Sequence, residues 1–334
     1  MTDRRPPADQ DALTFVTVVF DAEVRLLELQ ARSFSLFVDP AAVSAIVVLD
    51  NSVRGLSRRQ RTRLRNAYGS LWSRVTIRRT GTLIDPRAAT GWRSQQAAKL
   101  AVSSLIATPH YVVLDAKNHF TRETGAAAFV AADGRAHGAL HSYAEHPLRP
   151  SLESTLTYLG AESSVIRQAV ESFPPTATPF VFDTALVRSM VDDLARRSGR
   201  SFDVEFERAE LLEFFLYSGW LDVHGPGIAA AIDGASIPSP TVWPRLATME
   251  GVESVIREAE RDDAFVFAVH RQALARADAA TRARIARQWA EIGLFPDERA
   301  AGRFVRAFRR SYLPALVRTR LAERARAWVR PARR

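Results

Sequence analysis

Strand-like and helix-like patterns of apolar residues alternate along the first part of the chain. Runs rich in β-branched and aromatic residues predict strands over residues 14–20, 44–50, 72–78 and 111–115. Helical spacing of polar and apolar residues predicts helices between them, over residues 21–34, 58–68 and 91–106. Strands that alternate with helices indicate an α/β fold with a mostly parallel central sheet and helices on both faces.

The second part of the chain has a less regular pattern. Helices are predicted over residues 151–172, 184–197, 209–220 and 246–262, and strands over residues 180–183 and 264–270, with two more helices to follow. Residues 125–147 predict a short strand with loops, and residues 224–244 a long loop punctuated by glycine and proline. We therefore expect a disordered N-terminus (1–12), one α/β domain (13–275) and a helical, arginine-rich C-terminal extension (276–334).

Acidic residues stand where three of the predicted strands end. Asp21 follows the first strand, Asp50 ends the second and Asp115 ends the fourth. In an open α/β sheet, ligands bind beyond the carboxyl ends of the strands, so these aspartates are expected around one crevice. The alternative is that they serve only in turns and helix N-caps.

Composition excludes several classes of protein. The chain of 334 residues is 47% hydrophobic, which is enough for a sizeable core, and it has no cysteine, so disulfides, zinc–thiolate sites and cysteine nucleophiles are excluded. The loops typical of P-loop NTPases, dinucleotide dehydrogenases and serine hydrolases are missing. No signal-peptide core or membrane-spanning run is found, and we expect a cytoplasmic protein.

Positive charge is concentrated in the C-terminal tail. The net charge is +9, and residues 303–334 contain eleven arginines and one acid, Glu323, so that the tail alone carries +10. A nucleic-acid partner is therefore not expected, because the excess is not spread over the folded body. Apolar residues at three- and four-residue steps predict a basic amphipathic helix, broken near Pro314, that lies on an anionic membrane surface. The alternative is a helix packed on the core with an arginine-rich outer face.

The helix predicted over 91–106 carries polar groups suited to a ligand. Gln95 or Gln96 can share a helix face with Lys99. Trp92, at the start, can stack on a base or a sugar, or can instead staple the helix to the core. Lys99 and Lys117 are the two lysines of a chain that otherwise uses arginine, and both are predicted beside the crevice.

Four stretches together resemble a GT-A glycosyltransferase: TFVTVVFDAE (14–23), GWRSQQAAKL (91–100), YVVLDAKNHF (111–120) and ELLEFFLYSGWL (210–221). The resemblance covers about residues 13–270 and is closer to an uncharacterised bacterial family that shares Q-Q-x-x-K and E-x-x-x-Y. It implies a Rossmann-like GT-A fold and a nucleotide-sugar donor. It also implies a saccharide or lipid-linked acceptor, as in cell-surface polysaccharide synthesis. The basic tail, in turn, favours a peripheral place on the inner face of the membrane.

The resemblance also raises the question of a metal ion. The family's D-x-D motif reads Asp115-Ala116-Lys117 here. In one alternative, Asp115, Asn118 and His270 bind Mg²⁺ or Mn²⁺ against the donor diphosphate. In the second, Lys117 and Lys99 supply the positive charge instead. In the third, Lys117 points to solvent.

The remaining roles follow from the same resemblance. Glu213 is the first candidate for the base that accepts the acceptor's proton, with Asp183 second and Glu210 third. Donor contacts are expected from Phe20, Asp21, Asp50, Trp92, Gln95, Gln96, Lys99, Lys117 and Tyr217, the last one helical turn after Glu213. Two rival functions stay open: a non-catalytic relative with a degraded metal site, and a binder of anionic surfaces or nucleic acid driven by the tail.

Overall fold

The structure is a computed structural model and describes residues 12–85 and 91–329. In this part of the chain eight strands are present: β1 (Leu13–Val19), β2 (Val43–Asp50), β3 (Val75–Arg79), β4 (His110–Asp115), β5 (Asn118–Phe120), β6 (Phe180–Asp183), β7 (Thr241–Val242) and β8 (Val266–Val269). The larger sheet has the order β3-β2-β1-β4-β6, and β5, β8 and β7 form a smaller sheet. Within the larger sheet only β6 is antiparallel to its neighbour, which confirms the predicted mostly parallel sheet.

Helices lie on both faces of the larger sheet, and further helices pack on these helices rather than on the sheet. The helices are α1 (Val24–Phe37), α2 (Arg58–Tyr68), α3 (Gly91–Ala101), α4 (Arg149–Leu159), α5 (Ser163–Glu171), α6 (Thr184–Ser198), α7 (Phe202–Arg208), α8 (Glu213–Val223), α9 (Ile228–Ala231), α10 (Met249–Ala259), α11 (Arg271–Arg276), α12 (Ala279–Glu291) and α13 (Glu298–Val329). Successive residues of β1 alternate between two cores. Phe15 and Val19 pack with α1, α10, α12 and α13, whereas Val16 and Val18 pack with α3, α6 and α8.

Several predicted boundaries are corrected by the structure. Residues 151–172 form two helices, because Gly160 takes a left-handed conformation (φ 83°) that ends α4. The helix predicted over 209–220 is replaced by α7 and α8, with Glu210 at φ 55° between them. The third strand begins only at Val75, after a 3₁₀ segment. Residues 125–147 contain isolated bridges rather than a strand.

The direction of the strands decides which residues can meet. In the parallel set, Val19 pairs with Asp50 and Val18 pairs with Asp115, so these carboxyl ends lie side by side. Strand β6 runs the other way, and Asp183 pairs with His110 at the start of β4. Five residue steps of β4 separate His110 from Asp115, on the order of 17 Å. Asp183 therefore lies at the opposite edge of the sheet from Asp115.

The C-terminal helix α13 differs from the expectation at one point. It continues through Pro314 instead of breaking there, because Tyr312 and Ala315, on either side of the proline, are buried against the core. Among the described residues, no helix is both long and apolar enough to cross a bilayer. The predicted disordered N-terminus falls outside the described residues except for Ala12.

Candidate functional site

A cavity of about 410 Å³ lies where β1 and β4 end. We call it the crevice. Charged, amide and aromatic side chains line it: Glu23, Trp92, Gln95, Gln96, Lys99, Asp115, Lys117, Glu213, Trp243, His270 and Arg271. The structure thus brings together, at one edge of the sheet, most of the site residues that the sequence predicts.

Lys99 is the centre of a buried ion-pair network. Its Nζ atom lies 3.2 Å from Asp115 Oδ1 and 3.1 Å from Glu213 Oε1, and 5.3 Å from the centroid of the Phe214 ring. Burial alone would lower the pKa of Lys99, but the two carboxylates raise it above its ordinary value. Lys99 therefore stays protonated and joins an acid from the end of β4 to an acid from the first turn of α8.

Lys117 completes this network on the other side of Asp115. Its ammonium group donates a hydrogen bond to Asp115 Oδ2 and lies 5.3 Å from the centroid of the Trp243 ring. The Lys117 side chain is only 11% exposed, which rules out the third alternative, in which it points to solvent. Burial of Asp115 would raise its pKa, but the charges of Lys117 and Lys99 hold it well below its usual range. Each oxygen of Asp115 therefore faces an ammonium group.

Glu213 is a buried acid on the wall of the crevice. Its side chain is 6% exposed, and burial raises its pKa above the ordinary value even though the Lys99 charge opposes the shift. A carboxylate of raised basicity is a better proton acceptor near neutral pH than a solvated one. Glu213 therefore lines the crevice with a basicity above that of a solvated carboxylate.

A second ion pair on the crevice wall was not predicted from the sequence. Arg271 donates to Glu23 Oε1 at 2.5 Å and stacks over the Phe20 ring at 5.0 Å. The Arg271 Nε–H is buried and has no hydrogen-bond partner among the described residues. Burial raises the pKa of Glu23, and the Arg271 charge opposes that shift. The position of Arg271, directly after a strand end and next to His270, is the sequence feature that could have indicated it.

Of the three residues predicted as metal ligands, Asp115 and His270 line the crevice, whereas Asn118 is buried beside Asp115, and the donor atoms of all three are already engaged. The side-chain oxygen of Asn118 accepts from the Asp115 N–H and the Thr178 hydroxyl, both at 2.8 Å. The Asn118 amide nitrogen donates to the Thr178 carbonyl and the Ser239 hydroxyl. All four hydrogen-bonding positions of this amide are therefore used within the protein.

His270 has the same limitation. Its Nδ1 accepts a hydrogen bond from the Gln272 N–H at 3.2 Å, so the neutral ring carries its proton on Nε2. Burial, followed by the charges of Arg271 and Lys117, lowers the pKa of His270 to about 4. The neutral ring thus offers the crevice an N–H donor rather than a lone pair. Within residues 12–85 and 91–329, no cluster of three or more His, Cys, Asp or Glu could hold a metal ion.

Helix α3 presents three predicted ligand-binding residues to the crevice. Trp92 is 62% exposed, so it does not staple the helix to the core. Gln95 is half-buried, and Gln96 is 1% exposed. An exposed indole at the mouth and a buried amide one turn deeper give this wall both a stacking surface and a hydrogen-bonding group.

Asp21 and Asp50 organise the loop beside the crevice instead of lining it. Asp21 Oδ2 accepts from the Val53 N–H at 2.8 Å. Asp50 is fully buried, accepts from the Ser52 and Leu56 N–H groups at 3.0 and 2.7 Å, and lies 3.2 Å from an Arg79 nitrogen. In the structure, both carboxylates therefore fix the loop that follows β2.

Other predicted residues lie away from the crevice. Tyr217 is 1% exposed, and its hydroxyl accepts from the Asp183 N–H at 3.2 Å. Asp183 itself caps α6 by accepting from the Leu186 N–H at 2.8 Å. Glu210 is 79% exposed and pairs with Arg93 at 3.6 Å. These placements correct the expectation that Asp183, Glu210 and Tyr217 share a site with Glu213.

Comparisons with solved structures give weak likenesses to glycosyltransferases. The galactosyltransferase LgtC, solved with donor and acceptor sugar analogs, is 12% identical, with a TM-score of 0.44 over 81% of this chain and 93% of that one. Glucosyl-3-phosphoglycerate synthase from Mycobacterium tuberculosis, solved with Mn²⁺, UDP and phosphoglyceric acid, is 16% identical, with a TM-score of 0.36 over 69% and 73%. Mouse xyloside xylosyltransferase 1 is 12% identical, with a TM-score of 0.36 over 77% and 97%.

No curated protein matches the chain. A family profile, that of DUF6492, matches residues 7–236. Because this match spans more than half of the sequence, the chain belongs to DUF6492, a family of unknown function.

Proposed function

We propose that this chain is a glycosyltransferase that moves a sugar from a nucleoside diphosphate donor to a hydroxyl group of an acceptor. The observation that carries the proposal is the network at the end of β4, where Asp115 is flanked by the ammonium groups of Lys99 and Lys117. Lys117 stands at the second acidic position of the resembled D-x-D motif. A cation built into the chain thus occupies the place where a metal-binding carboxylate is expected.

The charges of the crevice suit a diphosphate. Three hydrogen-bond donors line the same cavity: Lys117, Arg271 and the Nε2–H of His270. Each carries an N–H group that can donate to an oxygen of the ligand. A diphosphate oxygen can accept a hydrogen bond from the Lys117 ammonium, which then leaves Asp115. It can also accept one from the Arg271 Nε–H, which has no partner among the described residues. Charge-assisted hydrogen bonds of this kind are stronger than neutral ones, and they strengthen as charge grows on the leaving group.

The transfer step can be written with the chain's own residues. The acceptor oxygen forms a bond to the anomeric carbon, and the bond from that carbon to the diphosphate oxygen breaks. The electron pair goes to the diphosphate, where Lys117 and Arg271 neutralise it. Glu213 takes the proton of the acceptor hydroxyl, a role that its raised pKa favours.

A divalent metal does not fit the donor atoms as they are arranged. Asp115 is paired with two lysines, and Asn118 has no free oxygen lone pair directed to the crevice. Binding a cation there would also place it beside two ammonium groups, which is electrostatically unfavourable. Of the two charge-supplying alternatives from the sequence, we therefore propose the one in which lysine takes the place of metal.

Calorimetric titration with UDP, GDP and TDP, in EDTA and separately in Mn²⁺, tests this proposal. We expect one of these nucleotides to bind in EDTA, Lys117→Met to lose at least tenfold in affinity, and Lys117→Arg to retain most of it, because only a charge is needed. Binding that requires Mn²⁺ and is unchanged in Lys117→Met would establish the metal alternative. No binding of any nucleotide would favour the non-catalytic alternative.

We further propose that the acceptor is a saccharide of the cell surface, reached from an anionic membrane. Leu313, Val317 and Leu321 are 65%, 55% and 59% exposed. They follow one another at four-residue steps, so they form one apolar stripe on α13. Exposed Arg306 and Arg310 precede them on the same face. An apolar stripe that continues an arginine-bearing face suits a surface of anionic lipids.

The position of helix α2 agrees with the proposal that α13 faces an anionic membrane. Leu321 lines one cavity together with Arg59 and Arg63 of α2, so the apolar stripe lies next to a second group of basic side chains. Basic residues near a membrane surface contribute roughly 1 kcal/mol each to the attraction by anionic lipids. The two helices therefore provide both the apolar and the cationic part of a membrane-facing surface.

A further inference from the structure

The side-chain amide of Gln96 is buried and makes no hydrogen bond. The residue is 1% exposed, yet within the described part of the chain neither its Oε1 nor its Nε2 has a partner. An amide buried without partners costs free energy at both ends, so such groups are rare in folded proteins. Gln96 also lines the crevice, which places the unsatisfied amide at a cavity wall.

The neighbours of Gln96 indicate what could satisfy it. Lys99 follows it by three residues on α3, and the ammonium of Lys99 holds the carboxylates of Asp115 and Glu213. Trp92 precedes it by four residues and is exposed at the mouth of the crevice. This wall therefore combines a charged cluster, the unsatisfied amide and, at its outer end, an aromatic surface.

We propose that Gln96 binds hydroxyl groups of the donor sugar and is the residue of α3 that distinguishes a nucleotide-sugar from the bare nucleoside diphosphate. A hydroxyl both donates and accepts, so one or two sugar hydroxyls satisfy the amide oxygen and the amide nitrogen together. A phosphate only accepts hydrogen bonds and would leave the amide oxygen unpaired beside a negative charge. This inference rests on the proposed function, since it assigns the sugar of that donor to the α3 wall.

If Gln96 binds the donor sugar, its buried amide lowers the stability of the ligand-free protein. If the amide is held unsatisfied for a ligand, replacing it with an apolar side chain of similar length should stabilise the protein and weaken sugar binding at the same time. A glutamine that served only the fold would show the opposite, with a loss of stability. The two effects together separate a binding role from a structural one.

The test compares Gln96→Met with Gln168→Met, a control on an exposed glutamine of α5 that does not line the crevice. We expect Gln96→Met to raise the melting temperature of the ligand-free protein by on the order of 2 °C. Each variant is then titrated with UDP, GDP and TDP and with the corresponding glucose, galactose, mannose and rhamnose conjugates. For the conjugate that wild type binds best, we expect Gln96→Met to lose at least tenfold in affinity, with little change for the parent nucleotide.

Each other outcome overturns a distinct statement. Equal weakening of nucleotide and nucleotide-sugar would place Gln96 on the base or the diphosphate, and unchanged affinity for both would exclude it from the donor site. A lower melting temperature for Gln96→Met would show that the amide is satisfied in the free protein. If no nucleotide binds wild type at all, the proposed function itself fails, and the assignment of a donor sugar to Gln96 fails with it.

Discussion

Replacing Lys99 by methionine tests the network that holds the crevice together. Methionine keeps much of the length of the side chain and removes its charge. Asp115 would retain Lys117, but Glu213 would lose the cation that lies 3.1 Å away. Because the side chains of Lys99 and Glu213 are 9% and 6% exposed, the loss is that of a buried pair broken from one side, about 3–5 kcal/mol.

The size of this loss should depend on pH in one direction. The pKa of Glu213 in the folded protein is already raised by burial, and removing Lys99 raises it further. A carboxyl group with a raised folded-state pKa loses stability as pH rises from its unfolded to its folded value, by about 1.4 kcal/mol per unit of difference. The destabilisation of Lys99→Met should therefore be larger at pH 8 than at pH 5, where Glu213 can take up a proton.

Urea unfolding at both pH values measures the effect. Arg149→Met is the control, since it removes a cation from an exposed pair with Glu153 and is expected to leave the midpoint unchanged. Combining Lys99→Met with Glu213→Gln should recover most of the loss at pH 8, because no charge is then stranded. A loss no larger than that of Arg149→Met, or equal at both pH values, would refute the interpretation of this network.

Two further predictions concern parts of the chain outside the network. Asp50→Asn should lower the free energy of unfolding by roughly 1–3 kcal/mol, because an amide can present only one oxygen to the N–H groups that Asp50 now satisfies. An unchanged urea midpoint would show that the loop after β2 does not need this carboxylate. The triple variant Leu313→Ser, Val317→Ser and Leu321→Ser should no longer sediment with phosphatidylglycerol vesicles, and neutral phosphatidylcholine vesicles are the control. A triple variant that still sediments like wild type would remove α13 from the membrane proposal.

Much of the sheet could be predicted because its strands are buried on both faces. The apolar runs that contain Phe15, Ile46 and Val112 are long enough to be distinguished from their surroundings, and all three side chains are buried. The alternation with helices then fixes a parallel arrangement, and that arrangement places the end of β4 beside the end of β1. The meeting of Lys99, Asp115 and Lys117 follows from local sequence and from this one topological rule.

The positions of Asp183 and Tyr217 could not be predicted in the same way. The run FVFD has no feature that reveals whether its strand is parallel or antiparallel, and the reversed direction of β6 moves Asp183 to the far edge. Helix α8 is buried on nearly all sides, so the four-residue spacing of Glu213 and Tyr217 does not select one functional face. Long-range packing decides both cases.

The pair formed by Glu23 and Arg271 shows a related limit. These residues are 248 positions apart, and the sequence near one of them gives no indication that it contacts the other. Their contact depends on the start of α11 reaching the end of β1, which is a result of how the smaller sheet packs on the larger one. Single-sequence patterns locate strand ends, whereas cross-chain ion pairs require the folded arrangement.

On the proposed function, the two lysines explain how a carboxylate can remain in a site that binds a diphosphate. Asp115 by itself would repel a diphosphate, but its negative charge is shared between Lys99 and Lys117, whose ammonium groups both lie within bonding distance. Lys99 is also held by Glu213 and is the more deeply fixed of the two, so Lys117 is the cation that can turn toward a ligand. In this arrangement Asp115 keeps Lys117 in place while no ligand is bound, and the exchange of one anion for another limits the electrostatic cost of binding.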